Sequence, residues 1–163
     1  ALGRGTTVSV LLPLCSAEPV STEPGPNTSA SLAGSETILI AEDEAAIREL
    51  MGDALEQSGY HVLRAADGAE ALEIARFYGS NIDLIITDVV MPRLSGPDFV
   101  KQLPETRAGT KVIFMSGYAH NLVVQNDLLE EAMIYIQKPI TPRILANKLR
   151  QVLDDEKSTD DST

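Results

Sequence analysis

Five short aliphatic runs punctuate the chain: Ile38-Leu39-Ile40, Val62-Leu63, Leu84-Ile85-Ile86, Val112-Ile113-Phe114-Met115 and Met133-Ile134-Tyr135-Ile136. Four of the five are continuous rather than alternating. Strands covered on both faces of a parallel sheet have that appearance. Between the runs the apolar period lengthens. Ile47, Leu50, Met51, Ala54 and Leu55 recur at spacings of three and four and predict one amphipathic helix, ended by Gly59. Ala71, Leu72 and Ala75 predict a second, with Asp67 as its N-cap. Gly96 to Leu103 predicts a short third helix and Asn121 to Leu129 a weaker fourth. Leu145, Leu149 and Val152 mark a fifth, with Thr141 as cap and Pro142 at the first helical position. Five strands alternating with five helices predict a doubly wound α/β fold around a parallel sheet.

This pattern occupies residues 37–153. Residues 15–36 are rich in Ser, Thr, Pro and Gly without apolar periodicity and read as a linker. Residues 1–14 hold a Gly-rich turn, Gly3-Arg4-Gly5-Thr6-Thr7, and a short strand from Val8. Residues 154–163 form an acidic tail read as solvated and disordered. Apolar residues make up 44% of the 163, and aromatics only 4%, so the core must be mostly aliphatic. The single cysteine, Cys15, rules out a disulfide within the chain and suits a reducing, cytoplasmic compartment. No apolar run approaches the roughly 20 residues that span a bilayer. The short run before Cys15 lacks the layout of a secretory signal. The missing initiating Met suggests a piece of a longer protein. A net charge of −11 argues against a nucleic-acid partner, whose phosphates are met by Lys and Arg.

In an open α/β sheet the site lies beyond the carboxyl ends of the strands. The residues just past the runs are Glu42-Asp43-Glu44, then Asp88, then Ser116, then Lys138-Pro139. Singly, each has a bland reading: a helix N-terminus for the three acids, turns for Asp88 and Ser116, a solvated surface lysine for Lys138. Jointly they make an anionic pocket. Clustered carboxylates resist ionising together unless a cation is present. Oxygen ligands with room for water suit Mg2+, which would let Asp88 remain an ionised nucleophile. Lys138 supplies a point charge and Ser116 a hydroxyl donor for phosphoryl oxygens.

These residues resemble the receiver domain of bacterial response regulators over roughly residues 36–153. The match lies in Ile38-Leu39-Ile40-Ala41-Glu42-Asp43-Glu44, Asp88-Val89-Val90-Met91-Pro92, Phe114-Met115-Ser116-Gly117-Tyr118 and Tyr135-Ile136-Gln137-Lys138-Pro139. The resemblance implies strand order 2-1-3-4-5 and a phosphoryl group accepted by Asp88 from the phosphohistidine of a histidine kinase or histidine phosphotransfer protein. It implies Mg2+ held by Asp43, Asp88 and the backbone carbonyl of Val90, with Glu42 acting through water. Ser116 would contact the phosphoryl group and move toward it, and Tyr135 would turn inward as the switch. Lys138 would bridge to phosphoryl oxygens, with a cis bond to Pro139. Glu42 departs from the more usual Asp. Val90 and Tyr118 stand at the positions that tune hydrolysis, and neither orients an attacking water as a base, so slow dephosphorylation is expected.

Residues 1–14 look like the glycine box and last strand of a histidine-kinase ATP-binding domain, too short here to bind ATP. The expected parent is a hybrid sensor kinase with a C-terminal receiver, itself free to be membrane-attached, although this stretch contacts no membrane. A free-standing response regulator, acting through contacts around residues 121–151, is the alternative; homodimerisation is open under either reading. A phosphatase passing through an aspartyl phosphate would need a second acid where Val90 stands. A flavin carrier would need a hydroxyl-rich loop where Glu42-Asp43-Glu44 would repel the phosphate.

Overall fold

The computed structural model describes residues 33–117 and 134–154. Strands β1 (Thr37–Ala41), β2 (His61–Ala65), β3 (Leu84–Asp88), β4 (Lys111–Ser116) and β5 (Ile134–Gln137) form one parallel sheet in the order β2-β1-β3-β4-β5. All five predicted strands are present, in the order the resemblance implied. The chain steps outward from β1 to β2 and then crosses back to β3. That reversal puts the topological switch point between the carboxyl ends of β1 and β3.

Helices α1 (Ala45–Gln57), α2 (Gly68–Phe77), α3 (Gly96–Lys101) and α4 (Pro142–Asp154) pack on the two faces. They answer to four of the five predicted helices; the one predicted over Asn121 to Leu129 lies outside the described residues, as does Tyr118. Helix α3 ends at Lys101 rather than at Leu103. Pro104 explains the early stop, because its ring disfavours helical backbone at the residue before it. A 3-10 turn, Glu105–Arg107, follows.

Alternate residues of β1 serve two cores. Ile38 and Ile40 pack with Met51 and Leu55 of α1 and with Leu145, Leu149 and Val152 of α4. Leu39 and Ala41 pack with Ala71, Leu72 and Ala75 of α2 and with Phe99 of α3. Strands buried on both sides explain the continuous apolar runs. Leu50, counted in the apolar stripe of α1, is instead 56% exposed. Ile47, Met51 and Leu55 already fill the sheet-facing line at spacings of four, and Leu50 falls about 100° to one side of Met51.

Chain termini of the helices are sealed locally. Asp67 accepts from the backbone N–H groups of Ala69 (2.8 Å) and Glu70 (3.0 Å), as its predicted N-cap role requires. At the end of α1, Tyr60 N–H donates to Leu55 C=O and Gly59 N–H to Glu56 C=O, with Gly59 at φ 95°. This is a Schellman ending, and its left-handed position favours glycine. Thr141 Oγ1 accepts from Ile144 N–H at 3.3 Å ahead of α4.

Candidate functional site

Beyond β1 the chain turns across the carboxyl edge of the sheet as Glu42-Asp43-Glu44 before entering α1. Glu42 N–H donates to Ala65 C=O at 3.1 Å, which carries the parallel pairing one residue past the strand. The Glu42 side chain is only 1% exposed. Asp88 closes β3 and Ser116 closes β4. Lys138 follows β5, and its N–H donates to Ser116 C=O at 2.8 Å. The Lys138-Pro139 bond is cis, as the resemblance implied.

These residues meet. Lys138 Nζ lies 2.6 Å from Asp88 Oδ2 and 2.8 Å from Glu42 Oε2. Carboxylate oxygens of Glu42, Asp43 and Asp88 all lie within 4.8 Å of one another. Asp43 is exposed, Asp88 partly buried and Glu42 buried, so the cluster opens to solvent on one side. Such an all-oxygen donor set fits a hard divalent cation. Ser116 is buried at the neighbouring strand end. Val90 N–H donates to Asp88 Oδ1 at 3.2 Å, and Val90 is 76% exposed. Tyr135 lies outward on β5, about half exposed, with its ring 5.7 Å from that of Phe114.

The electrostatics follow from that packing. Burial pushes the Glu42 carboxyl above its ordinary range; the hydrogen bond and charge of Lys138 pull it back only in part, and Asp88 adds to the rise. For Lys138, burial alone would favour the neutral amine. The hydrogen bonds to Asp88 and Glu42 outweigh it, and the lysine is held charged more firmly than usual. Both partners move upward for different reasons, Glu42 being the more deeply buried of the two.

Three further residues shape the site that the strand-end rule did not single out. Gly96 opens α3 against the end of β3. A Cβ there would lie 2.2 Å from Asp88 O and 2.9 Å from Thr87 Oγ1, so only glycine allows this approach. Arg93, at φ 62°, donates through Nε to Asp67 Oδ2 at 2.6 Å and pins the loop after Asp88 to the start of α2. Arg48, in the first turn of α1, donates to the Glu42 carbonyl. A cation at that end of a helix opposes the macrodipole, which is the sequence signal that could have marked it.

The sequence matches the response regulator receiver domain over residues 38–150, and the chain belongs to that family. Over 160 residues it is 36% identical to the sensor kinase CckA of Brucella abortus, an alignment covering 94% of this chain and 17% of that protein. It is 33% identical over 117 residues to the response regulator receiver protein CpdR of the same organism, covering 71% of this chain and 95% of CpdR. Among solved structures, the receiver domain of the hybrid histidine kinase CckA superposes with a TM-score of 0.60 at 40% identity, over 72% of this chain and 98% of that one. The chemotaxis response regulator CheY4 of Vibrio cholerae superposes with a TM-score of 0.65 at 30% identity, over 74% and 100%. Among the described residues no helix is long and apolar enough to cross a membrane.

Proposed function

We propose that Asp88 is the phosphoryl acceptor of a phosphorelay, taking the group from the phosphohistidine of a histidine kinase or histidine phosphotransfer protein. The observation that carries this reading is the contact of Lys138 Nζ with both Asp88 and Glu42, beside three converging carboxylates. An Asp88 carboxylate oxygen attacks phosphorus and forms the acyl phosphate. The bond from phosphorus to the histidine nitrogen breaks, and the imidazole leaves with the electron pair. Lys138 would meet charge on the phosphoryl oxygens. Two of its three ammonium N–H donors meet Asp88 and Glu42, so a third can reach a phosphoryl oxygen. Ser116 offers a hydroxyl donor from the end of β4, and Tyr135 is the candidate switch on the neighbouring strand. Mg2+, held by Glu42, Asp43, Asp88 and the Val90 carbonyl, would neutralise the cluster and the incoming phosphoryl group.

The parent is best read as a hybrid kinase working in the cytoplasm. Alignment to a sensor kinase over nearly the whole chain, including residues before the receiver, supports that reading. Residues 1–14 would then be the end of an ATP-binding domain, 15–36 the linker, 37–153 the receiver and 154–163 the tail. A free-standing regulator is the second reading, favoured by the near-complete coverage of CpdR. Incubation with Mg2+ and a small-molecule phosphodonor, followed by intact mass, tests the chemistry. One added phosphoryl group is expected on the wild type and none on Asp88→Asn. A wild type that gains no mass, or an Asp88→Asn variant that still gains it, defeats the assignment. Purified phosphohistidine partners then decide direction.

A further inference from the structure

Helix α1 carries an arginine where helix electrostatics disfavour one. Arg48 sits in the first turn, at the positive end of the macrodipole; that turn itself holds no acid, and the acids nearest the helix start precede it, at Glu42, Asp43 and the N-cap Glu44. Its side chain is only 16% exposed, so the cation is largely withdrawn from water. Among the described residues, its carboxylate neighbour within salt-bridge range is Glu49, 3.9 Å from Nε and well exposed. The short contact goes elsewhere. Nη1 donates to the Glu42 carbonyl at 2.7 Å and reaches the Asp43 carbonyl at 3.4 Å.

Those two carbonyls belong to the backbone from which the acidic side chains spring. At the helix entry Glu44 makes no side-chain capping bond; its N–H reaches Glu42 Oε1 only at 3.4 Å, so among the described residues the 2.7 Å bond from Arg48 is the shortest hold on this backbone from α1. The turn is held on its other flank by Glu42 N–H to Ala65 C=O and by Lys138 on the Glu42 carboxylate. We propose that Arg48 is a positioning residue for the acidic turn, fixing the Glu42 and Asp43 carboxylates in the mutual geometry that a divalent cation needs. The inference rests on the phosphoryl-transfer reading above and extends it to a residue outside the converging strand ends.

Two opposed effects make the idea testable. Arg48 also brings positive charge toward an anionic pocket. If charge were its only influence, removing it would tighten cation binding. If it positions the ligands, removing it loosens binding, in the way that losing a group which orients metal ligands commonly costs about tenfold or more in affinity.

Mg2+ affinity is measured by calorimetry for wild type, Arg48→Ala and Arg48→Lys, with circular dichroism melts alongside. Arg48→Ala is expected to bind Mg2+ about tenfold more weakly. In phosphodonor reactions it should need correspondingly more Mg2+ for half-maximal rate, yet approach the wild-type rate at saturating Mg2+. Arg48→Lys keeps a cationic donor and should recover part of the affinity, which also decides the matter if the alanine variant folds poorly. Unchanged or tighter Mg2+ binding in both variants, with a competent wild type, overturns the role of Arg48 alone. A wild type that takes neither ion nor phosphoryl group overturns the underlying reading and this one with it.

Discussion

Replacing Lys138 by Met should destabilise the protein in a way that depends on pH, because it strands a buried carboxylate. Lys138 Nζ lies within 3 Å of both Glu42 and Asp88, at 2.8 and 2.6 Å. Removing one partner of a fully buried ion pair costs about 3–5 kcal/mol. Lys138 is 21% exposed and Asp88 14%, so water screens part of the interaction, and about 2 kcal/mol is the expectation near pH 8 without divalent cation. Glu42 already has its pKa raised by burial, and losing Lys138 raises it further. A carboxyl with a raised folded-state pKa binds its proton more tightly folded than unfolded, so stability falls as pH rises from the unfolded value toward the folded one. Lys138 itself, with a raised pKa, contributes stability that is fully present below the ordinary lysine range and lost only above it. Between about pH 5 and 8 the lysine is therefore constant, and the slope reports the carboxylates. The deficit of Lys138→Met should be largest near pH 8 and shrink toward the ordinary glutamate range. Urea denaturation at a series of pH values, in a chelator and then with Mg2+, measures it. Mg2+ should restore part of the loss. A deficit that is flat with pH, or a variant as stable as wild type near pH 8, would refute the picture of Glu42 as a buried anion held by Lys138.

Three other expectations follow from the geometry. Gly96→Ala places a methyl 2.2 Å from the Asp88 carbonyl; it should cost about 2 kcal/mol in urea melts and slow phosphoryl uptake by displacing Asp88, and wild-type values in both would show that the contact is relieved freely. Asp67→Ala removes the α2 cap and the partner of Arg93 together; a loss of about 2 kcal/mol is expected by thermal denaturation, mostly retained when Arg93→Ala is already present only if capping dominates. Val90 carries no acid or base to direct water at a phosphoryl group, so the phosphorylated form should hydrolyse slowly. A lifetime of only seconds in a phosphate-release assay would contradict that.

Much was legible in the residues alone. Continuous aliphatic runs can be buried only if both faces of a sheet are covered, and the alternation with helical periods then leaves a parallel doubly wound arrangement. That fold directs attention to the residues after each run, and Glu42, Asp43, Asp88, Ser116 and Lys138 were found there. What tertiary structure alone decided is how those ends pair. Lys138 reaches Glu42 across 96 positions of sequence and Asp88 across 50, and no local pattern measures such distances. The same holds for the burial of Glu42 against the exposure of Asp43 next to it. Their backbones are adjacent, but Glu42 continues the pairing and alternation of β1 through its bond to Ala65 and is buried, while Asp43 begins the turn and is exposed. Gly96 lay hidden for a related reason: it approaches the backbone of Asp88, and backbone atoms leave no trace in the identity of a side chain, whereas Arg48 left one local signal, a cation at the wrong end of a helix. Local periodicity specifies which elements form and which edge they present; the interatomic approaches that make chemistry possible depend on packing between elements distant in sequence.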